Sequence, residues 1–313
     1  MNARPALFPP LTGTLIVVTG ASDGIGRAIA WRLAEAGAEL VLPVRSPEKG
    51  RRVADELASR FPGAIVATPA LDLASLDSVF ALVDALGAEG RPIDILINNA
   101  GVMTPPTRQA TSDGFELQFG TNHLGHVALT LGLLPLIRAA RGRVTHQTSI
   151  AARRGRINWD DLNWERSYDG GAAYAQSKLS VALFARELHE RSRVGGWGIS
   201  SNLSHPGVSP TNLLAAQPGL GRDRELIGRR VIRGLSRIGV TGTVESAARP
   251  ALLAAVAPDG DERFYGPRRV VSGPPTVRPL WRPMTDGPAA GRLWDESVRL
   301  IGPRLQERMS ASS

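Results

Sequence analysis

Short apolar runs alternate with amphipathic stretches along most of this chain, and the alternation restricts the possible folds more than any other feature. The runs TLIVVTG (14–20), ELVLPVR (39–45) and PIDILINNAG (92–101) are each followed by apolar residues at helical spacing. Strands this apolar cannot face water on either side, which indicates a parallel sheet covered by helices on both faces. Because connections between parallel strands are right-handed, the sequence predicts an α/β fold with a doubly wound sheet.

The remaining elements continue this repeat. Helices are predicted at about 47–60, 75–87 and 111–138, and a further helix opens near Tyr174. Further strands are predicted within 64–73, 142–149 and 198–207. The pattern of period-2 and period-3.6 segments therefore extends over about two thirds of the chain.

No linker rich in glycine and serine divides the chain, so we expect residues 1–313 to form a single domain with a core at about 14–207. Two segments do not fit the repeat, at about 150–173 and 208–245, and a C-terminal extension follows at about 250–313. Long connections in such folds leave the sheet at its carboxyl edge, where ligands bind. Both irregular segments are therefore expected to be insertions on the substrate side.

Composition narrows the class of protein. A hydrophobic content of 42% and a charged content of 21% are typical of a globular chain. The net charge of +8 attracts nucleic acid, membrane surfaces and phosphorylated ligands alike. The arginines are scattered with few aromatic residues beside them, which favours one anionic cofactor and no nucleic-acid partner.

Other features exclude whole kinds of site. The chain has no cysteine, so disulfides, thiolate metal sites and a cysteine nucleophile are excluded. The five histidines form no recognised ligand set, so no metal site is expected; for His123 and His126 a packing or capping role is favoured. The longest apolar run, 127–137, is shorter than the ~20 residues of a membrane span. With no signal-peptide pattern, we expect no membrane span and a cytoplasmic location.

A glycine-rich turn, TGASDGIG (19–26), follows the first strand and opens the first helix. Glycines at such a turn let backbone N–H groups and a helix N-terminus approach a pyrophosphate, as in Rossmann-type folds. The candidate contacts lie at Gly20, Ser22, Asp23, Gly24, Ile25 and Gly26. The spacing differs from the common G-x-G-x-x-G, and a plain turn is the alternative interpretation.

The same turn also spells a G-x-S-x-G nucleophile elbow centred on Ser22. A serine hydrolase would find an acid at Asp72 or Asp94 and a base at His205 in the right chain order. Such an elbow needs an earlier strand and loop to supply an oxyanion donor, yet only about a dozen residues precede this first strand. The hydrolase is therefore a remote alternative.

The end of the second strand indicates which dinucleotide fits. Sites for NAD usually place an acid about 20 residues after the glycines, where it holds the ribose hydroxyls. This chain instead has Arg45 and Ser46, with no acid before Glu48. An arginine there would pair with a 2′-phosphate, which favours NADP(H) over NAD(H); a solvated loop charge is the alternative.

Tyr174 and Lys178 are four residues apart on one predicted helix and can lie side by side. A free tyrosine has a pKa of about 10, and a nearby ammonium favours the phenolate and lowers that pKa. Such a pair can protonate a nascent alkoxide or deprotonate an alcohol while a nicotinamide moves the hydride. The spacing alone also occurs by chance on many helices.

Over most of residues 14–212 the chain resembles the short-chain dehydrogenase/reductase family. The motifs that carry the resemblance occur in the family's order: Thr19-Gly20 with Gly24-Ile25-Gly26, Asp72-Leu73, Asn98-Asn99-Ala100-Gly101, Asn122, Ser149, Tyr174-x-x-x-Lys178, and Pro206-Gly207 with Thr211. Two narrower features, TNHLGH (121–126) and the long insert before Tyr174, resemble its retinol dehydrogenase and protochlorophyllide reductase-like branch. The branch implies a bulky apolar carbonyl or alcohol, although His146-Gln147-Thr148 before Ser149 departs from the family's usual residues.

The resemblance implies a role for each catalytic residue. Tyr174 would be the general acid and base, and Lys178 would tune it and hold the nicotinamide ribose. Ser149 would donate a hydrogen bond to the substrate oxygen. Asn122 would sit at a helix irregularity and anchor a water that extends the proton relay from Lys178.

The resemblance also places the cofactor. Asp72, followed by Leu73, would meet the adenine, and Asn98 with the backbone of Ala100 and Gly101 would flank the ribose and nicotinamide. The carboxamide would be held by a segment comprising Pro206, Gly207, Val208 and Thr211. For Asp72, Asn98 and Asn122, the alternatives are turn or helix groups satisfied by their own backbone.

The leading hypothesis is therefore an NADP(H)-dependent oxidoreductase that interconverts a carbonyl and an alcohol. A non-catalytic dinucleotide-binding sensor or scaffold is the alternative from another class. Apolar residues on several faces of helices 123–138 and 174–192 hint at a homodimer, although burial on both sides within one chain gives the same pattern. The basic segment 221–238 resembles a substrate lid, with a membrane-surface helix as its rival.

Overall fold

The computed structural model describes residues 9–209, 241–257 and 262–311, which contain one eight-stranded sheet. The strands are β1 (Leu15–Val18), β2 (Glu39–Val41), β3 (Val66–Ala67), β4 (Ile95–Asn98), β5 (Arg143–Gln147), β6 (Ser200–Ser204), β7 (Phe264–Pro267) and β8 (Pro275–Arg278). Their order across the sheet is β3-β2-β1-β4-β5-β6-β7-β8, and the neighbours from β3 to β7 all pair in parallel. This order confirms the predicted doubly wound, Rossmann-type fold.

The helices cover the sheet on both faces. They are α1 (Gly24–Glu35), α2 (Pro47–Arg60), α3 (Leu76–Glu89), α4 (Leu117–Phe119), α5 (Gly125–Gly132), α6 (Leu134–Ala139), α7 (Gly170–Gly195), α8 (Val244–Val256) and α9 (Gly287–Ala311). Along β1, Val17 belongs to one buried apolar cluster and Ile16 and Val18 to another. Since successive strand side chains point to opposite faces, each face of the sheet carries its own core, as the continuous apolar runs predicted.

The predicted long helix at 111–138 is wrong at its start and in its continuity. Thr111 and Phe115 close a turn through a backbone hydrogen bond of 2.8 Å, with Gly114 at a φ of +85°. The helix begins only at Leu117, where the buried Glu116 carboxylate accepts from the Phe119 N–H at 2.7 Å. Residues Gly120–Leu124 then form a π-helical turn before α5. A π turn at this point places Asn122 at the helix irregularity that the family resemblance implied.

The helix that carries Tyr174 starts earlier than predicted. Asp169 caps it, because its carboxylate accepts from the N–H groups of Gly171 at 2.8 Å and Ala172 at 2.9 Å. Tyr174 consequently lies in the second turn of α7 and not at its opening. The insertion at 150–173 begins with a 3₁₀ turn at Ile150–Arg154.

The C-terminal extension completes the sheet and covers one helical layer. β8 pairs with β7 in the antiparallel direction, so the sheet is not wholly parallel, and α9 packs along α7. Trp294 of α9 stacks on Phe184 with ring centroids 5.1 Å apart, and Ser297 Oγ lies 2.7 Å from His123 Nε2. The apolar faces that hinted at a homodimer are therefore partly covered by α9 of the same chain, and the homodimer stays a prediction.

The predictions on a membrane span and on a metal site can be compared only with the residues that the structure describes. Within the described ranges, no helix has both the length and the apolar character needed to cross a bilayer, and the cytoplasmic location stays a prediction. No group of three or more histidine or carboxylate side chains in the same ranges could hold a metal ion. Thr211, most of the 208–245 insertion and the basic segment 221–238 lie outside the described residues.

Candidate active site

The carboxyl ends of β1 and β4 meet where the order of the strands reverses. β2 and β3 lie on one side of β1, whereas β4 and β5 lie on the other. Crevices at such switch points are where doubly wound sheets bind their ligands. The glycine turn follows β1 and the Asn98-Asn99-Ala100-Gly101 segment follows β4, so both sequence motifs border this crevice.

The glycine turn requires its glycines for distinct reasons. Gly20 and Gly24 have φ angles of +70° and +53°, which residues with a Cβ rarely adopt. A Cβ on Gly26 would overlap the Gly20 carbonyl oxygen, whereas nothing lies within 4 Å of a Cβ built on Gly24. Asp23 caps α1 by accepting from the Gly24 N–H at 2.6 Å.

The start of α1 also suits an anion. Its first turn contains no acidic residue, although the Asp23 carboxylate caps the positive end of the helix dipole. Ser22 is partly exposed beside this end, and Ile25 is buried against the core. A glycine-lined turn that leads into a helix N-terminus is the usual geometry of a pyrophosphate site.

Thr19 and Asn99 fasten the glycine turn to β4. Thr19 Oγ1 accepts from the N–H groups of Asn99 and Ala100, both at 3.0 Å. The Asn99 side-chain amide donates to the Thr19 carbonyl at 2.8 Å, and its oxygen accepts from Gln147 Nε2 at 2.8 Å. Asn99 thus joins the ends of β1, β4 and β5, a role that the sequence did not assign to it. The only available signal was its place in the Asn98-Asn99 pair.

Asn98, which the resemblance places beside the cofactor ribose, turns its side chain away from the glycine turn. Its side chain is buried in the core, where Nδ2 donates to Thr130 Oγ1 at 2.9 Å and lies 3.4 Å from His146 Nδ1. The reason is strand geometry, because adjacent residues at the end of β4 point to opposite sides. The side chain that faces the glycine turn is that of Asn99.

Three of the four implied catalytic residues are brought together by β5 and α7. The Ser149 hydroxyl lies beside the Tyr174 phenol, where hydrogen bonding to it opposes the rise in the tyrosine pKa. Lys178, one turn after Tyr174, donates from Nζ to the Gln147 carbonyl oxygen at 3.2 Å. A Cβ on Gly101 would lie 3.3 Å from Lys178 Nζ and 3.0 Å from Asn122 Oδ1. A glycine at this position therefore leaves the lysine and the asparagine room beside the crevice.

The pKa of Tyr174 is raised, whereas the sequence suggested that the Lys178 ammonium would lower it. Burial raises the pKa of Tyr174 above 10, and the hydrogen bond from Ser149 opposes that rise. Burial lowers the pKa of Lys178 to about 8. The ammonium is thus not what sets the tyrosine pKa, because Lys178 is turned toward the Gln147 carbonyl. At neutral pH the tyrosine is a protonated acid and the lysine carries its charge.

Asn122 uses its side chain to hold the segment after Gly101. Its Oδ1 accepts from the Val102 N–H at 2.7 Å, and its Nδ2 donates to the Val102 carbonyl at 3.0 Å and to Ser177 Oγ at 2.9 Å. Its main-chain carbonyl lies 3.0 Å from His126 Nδ1. Asn122 therefore links α7, the π turn and the segment that follows β4.

His126 connects this residue to the glycine turn. A carbonyl can only accept, so Nδ1 carries the proton toward Asn122, and Nε2 accepts from the Thr19 hydroxyl at 2.9 Å. Burial lowers the pKa of His126 to about 4, which agrees with a neutral ring. The packing role favoured for His126 is thus a specific bridge between the two halves of the site.

Asp72 and Leu73, which the resemblance places near the adenine, follow β3. Asp72 Oδ1 accepts from the Ala74 N–H at 2.9 Å, so this carboxylate closes its own turn, and its contact with the adenine stays a prediction. Leu73 is buried beside it, and a Cβ on Gly125 would lie 2.5 Å from its carbonyl oxygen. Arg45 follows β2 and is exposed.

The segment after β6 is shaped by the β7–β8 connection. Gly207 has a φ of +77°, and a Cβ there would lie 2.6 Å from the Val271 carbonyl oxygen. That oxygen also accepts from the Val208 N–H at 2.9 Å. Pro206, Gly207 and Val208 are therefore held in one conformation by a loop of the C-terminal extension.

The residues that a serine hydrolase would need are not arranged around Ser22. Asp94 accepts from the Leu15 N–H at 2.8 Å, at the amino end of β1 and so at the opposite edge from Ser22. Asp72 caps its own turn, and His205 accepts from the Gly207 N–H at 3.2 Å. Neither acid is placed to orient a histidine against the Ser22 hydroxyl.

A doubly wound sheet with a glycine turn at its switch point and a Ser149, Tyr174 and Lys178 cluster beside it defines the class of nucleotide-binding oxidoreductases. The family model of the short chain dehydrogenases matches residues 14–218. The chain belongs to this short-chain dehydrogenase family, as its motifs predicted.

The similarity to known proteins extends over nearly the whole chain. Retinol dehydrogenase 13 of Homo sapiens is 37% identical over 312 residues, covering 95% of this chain and 88% of that protein, which confirms the resemblance to the retinol dehydrogenase branch. A crystal structure of an uncharacterized protein from Mycobacterium paratuberculosis superposes with a TM-score of 0.77 at 35% identity, covering 95% of this chain and 96% of that one. The Pseudomonas aeruginosa RhlG/NADP active-site complex superposes with a TM-score of 0.59 at 25% identity, covering 82% and 94%.

Proposed function

We propose that this protein is an NADP(H)-dependent oxidoreductase that interconverts a carbonyl and a primary or secondary alcohol on a bulky apolar substrate. The observation that carries the proposal is the placement of Ser149 beside the Tyr174 phenol, where its hydroxyl opposes the rise in the tyrosine pKa, with Lys178 one turn away on the same helix. A binding protein without turnover has no need of this arrangement. It is the one expected of a proton donor and its support.

Each residue has a separate task in the proposed reaction. When bound, NADP(H) supplies or accepts the hydride. Tyr174 donates its proton to the developing alkoxide during reduction, and Ser149 donates a hydrogen bond to the same oxygen. Lys178, with a pKa of about 8, is charged at neutral pH and holds the nicotinamide ribose.

The preference for NADP(H) rests on Arg45. It is exposed in the connection after β2, and the next residue, Ser46, caps α2 by accepting from the Lys49 N–H at 3.4 Å. A guanidinium and a hydroxyl at this point suit a 2′-phosphate and offer no acid to a free ribose. The RhlG relative is described with NADP, which is consistent with this choice.

Removing the guanidinium tests the cofactor choice. In Arg45→Ala, the NADPH Kd should rise about tenfold because one charge-assisted contact to the phosphate is lost, whereas NADH affinity should not change. Fluorescence titration of both cofactors measures the ratio. Arg51→Ala, another exposed arginine on α2, is the matched control. An unchanged ratio in the Arg45 variant would remove this residue from cofactor selection.

The apolar substrate rests on the insertion before Tyr174. Ile157, Trp159 and Leu162 are partly buried side chains that pack against the core of the α7 layer. Arg292 of α9 lies over the Trp159 ring at 4.1 Å, which keeps the indole in place. The retinol dehydrogenase relative, whose name denotes an apolar alcohol, is consistent with this interpretation.

A carbonyl panel tests the activity itself. Aldehydes and ketones of increasing chain length should consume NADPH with a kcat/KM that rises about fourfold per added methylene while the pocket still has room. Loss of absorbance at the NADPH band is the measurement, with short hydroxylated carbonyls as polar controls. NADPH binding without turnover of any carbonyl or alcohol would instead support the sensor or scaffold.

A further inference from the structure

Gln118 is a buried amide that no family motif includes. It lies on α4, one turn before Asn122, and its Oε1 accepts from the Thr104 N–H at 2.7 Å. Its Nε2 donates to the Gly170 carbonyl oxygen and to the Tyr168 hydroxyl, both at 3.1 Å. One side chain thus fastens the segment after β4 to the residues that open α7.

Asn122 makes the equivalent connection one turn later. It binds Val102 through both of its amide atoms and reaches Ser177 on α7. Side chains four residues apart share one helix face, so Gln118 and Asn122 form two parallel amide bridges from segment 102–104 to α7. Asn122 holds the bridge beside Lys178, and Gln118 holds the one farther from it.

Segment 102–104 would not keep its shape unaided. Thr104 has a φ of +43°, in the left-handed region that a β-branched residue rarely adopts. Such conformations persist only where surrounding contacts enforce them. The hydrogen bond from the Thr104 N–H to Gln118 is a contact of this kind, and a Cβ on Gly170 would lie 3.1 Å from the Pro105 carbonyl oxygen.

The insertion before Tyr174 depends on the same amide. Tyr168, near its end, donates to Glu116 Oε1 at 3.3 Å and accepts from Gln118, and burial raises its pKa so that the hydroxyl stays protonated. Gln176 holds the middle of the insertion by accepting from the Asn158 N–H and donating to the Leu162 carbonyl, both at 2.9 Å. Gln176 therefore fixes the middle of the insertion, and Gln118 fixes its end.

We propose that Gln118 is a positioning residue that sets the affinity for the carbonyl substrate. By joining segment 102–104 to Gly170 and Tyr168, it fixes the substrate-side wall relative to the Tyr174 hydroxyl. It touches neither the glycine turn nor Lys178, so cofactor binding and proton transfer do not depend on it. The effect on KM rests on the proposed function, whereas the effect on local stability does not.

Gln118→Met keeps the volume of the side chain and removes its hydrogen bonds to Thr104, Tyr168 and Gly170, together with a weaker one to Glu116 Oε1 at 3.4 Å. The KM for an apolar aldehyde should rise about tenfold or more, with kcat within about threefold and an unchanged NADPH Kd, because misplaced binding groups weaken substrate binding. Asn202→Leu is the matched control, since Asn202 is also a buried amide and bridges the Ala254 carbonyl at 3.1 Å and the Arg263 N–H at 2.8 Å, away from the crevice. It should lower stability without raising KM.

Amide hydrogen exchange separates this proposal from the proposed function. In Gln118→Met, the peptides covering 102–107 and 157–170 should exchange faster while those of β1 to β3 stay protected. Gln118→Asn, shorter by one methylene, should show the same pattern more weakly and guards against misfolding of the first variant. Equal KM in wild type and Gln118→Met, or exchange in these peptides no faster than in Asn202→Leu, would overturn the proposal. A wild type that turns over no carbonyl, with the exchange pattern as expected, would overturn only the proposed function and the KM effect.

Discussion

Tyr174→Phe is expected to lower kcat for carbonyl reduction by about 10²- to 10⁴-fold, the usual contribution of a positioned general acid. Phenylalanine keeps the ring on α7 and removes only the hydroxyl that is hydrogen-bonded to Ser149. Without that hydroxyl no acid is left in place to protonate the developing alkoxide. NADPH affinity should stay unchanged, because the glycine turn and Lys178 are untouched.

Single-turnover reduction measured beside NADPH fluorescence titration distinguishes chemistry from binding. Tyr168→Phe is the matched control, since it removes a hydroxyl of the same kind that is bonded to Gln118 and Glu116 instead of Ser149. Its kcat should remain near that of the wild type. A Tyr174→Phe enzyme with full kcat would end the assignment of the tyrosine as the acid.

The direction of the pH effect follows from the same residues. Burial raises the pKa of Tyr174, so the phenol is protonated and competent for reduction throughout the neutral range. Alcohol oxidation needs the deprotonated form and should become faster as the pH rises. Lys178, with a pKa of about 8, loses its charge over the same range, which limits the gain above that pH.

The elements of the site that could be predicted from sequence are those specified locally. Gly20 and Gly24 have positive φ angles that few other residues adopt, so the glycines in the sequence already predict the turn. Tyr174 and Lys178 are related by one helical turn, and that relation survived although α7 begins at Gly170. Likewise, the apolar run of β1 already implied a sheet buried on both faces.

What the sequence did not indicate depends on partners distant along the chain. Asn98 and Asn99 are adjacent residues of the same type, so the sequence does not distinguish them. The pleat at the end of β4 decides which side chain faces the glycine turn. The pKa of Tyr174 depends on how deeply it is buried and on where Lys178 points, neither of which is a matter of spacing. The role of Gln118 required the positions of Thr104 and Gly170.

The helical layer shows the same limit. Apolar residues on several faces of α5 and α7 are compatible with a partner subunit or with a covering helix of the same chain. Trp294 on Phe184 and Ser297 beside His123 show that α9 covers part of this surface. The periodicity of α7 could not identify α9 as its partner, because the contacting residue Trp294 lies more than a hundred residues after Phe184 in the chain.

Acidification from pH 6.5 to pH 5 is expected to lower the free energy of unfolding by several kcal/mol. Burial lowers the pKa of His123 and His146 to about 3, and that of His126 and His205 to about 4. In the unfolded chain a histidine has a pKa of about 6.5, so below that pH the unfolded state binds more protons than the folded state. The folded state therefore loses stability as the pH falls through this window.

The size of the loss follows from the shifts. At pH 5 each of these histidines is protonated when unfolded and largely neutral when folded, which costs about 2 kcal/mol per residue. Four such costs together are comparable with the whole stability of a typical domain, about 5–15 kcal/mol. Most carboxyl groups titrate below pH 5, so the histidines dominate between pH 6.5 and 5.

Urea unfolding at several pH values measures this effect, and the slope of the unfolding free energy against pH should correspond to an uptake of about four protons near pH 5. His123→Phe is the sharpest variant, because the ring already stacks on Phe119 at 5.2 Å and meets Phe184 edge-on at 6.1 Å, so an apolar ring fits its surroundings. It should lower the uptake by about one proton and move the acid midpoint to lower pH, at the cost of the bond to Ser297. An unfolding free energy that stays constant between pH 6.5 and 5 would contradict neutral, buried histidines, and with them the neutral His126 that joins Thr19 to Asn122.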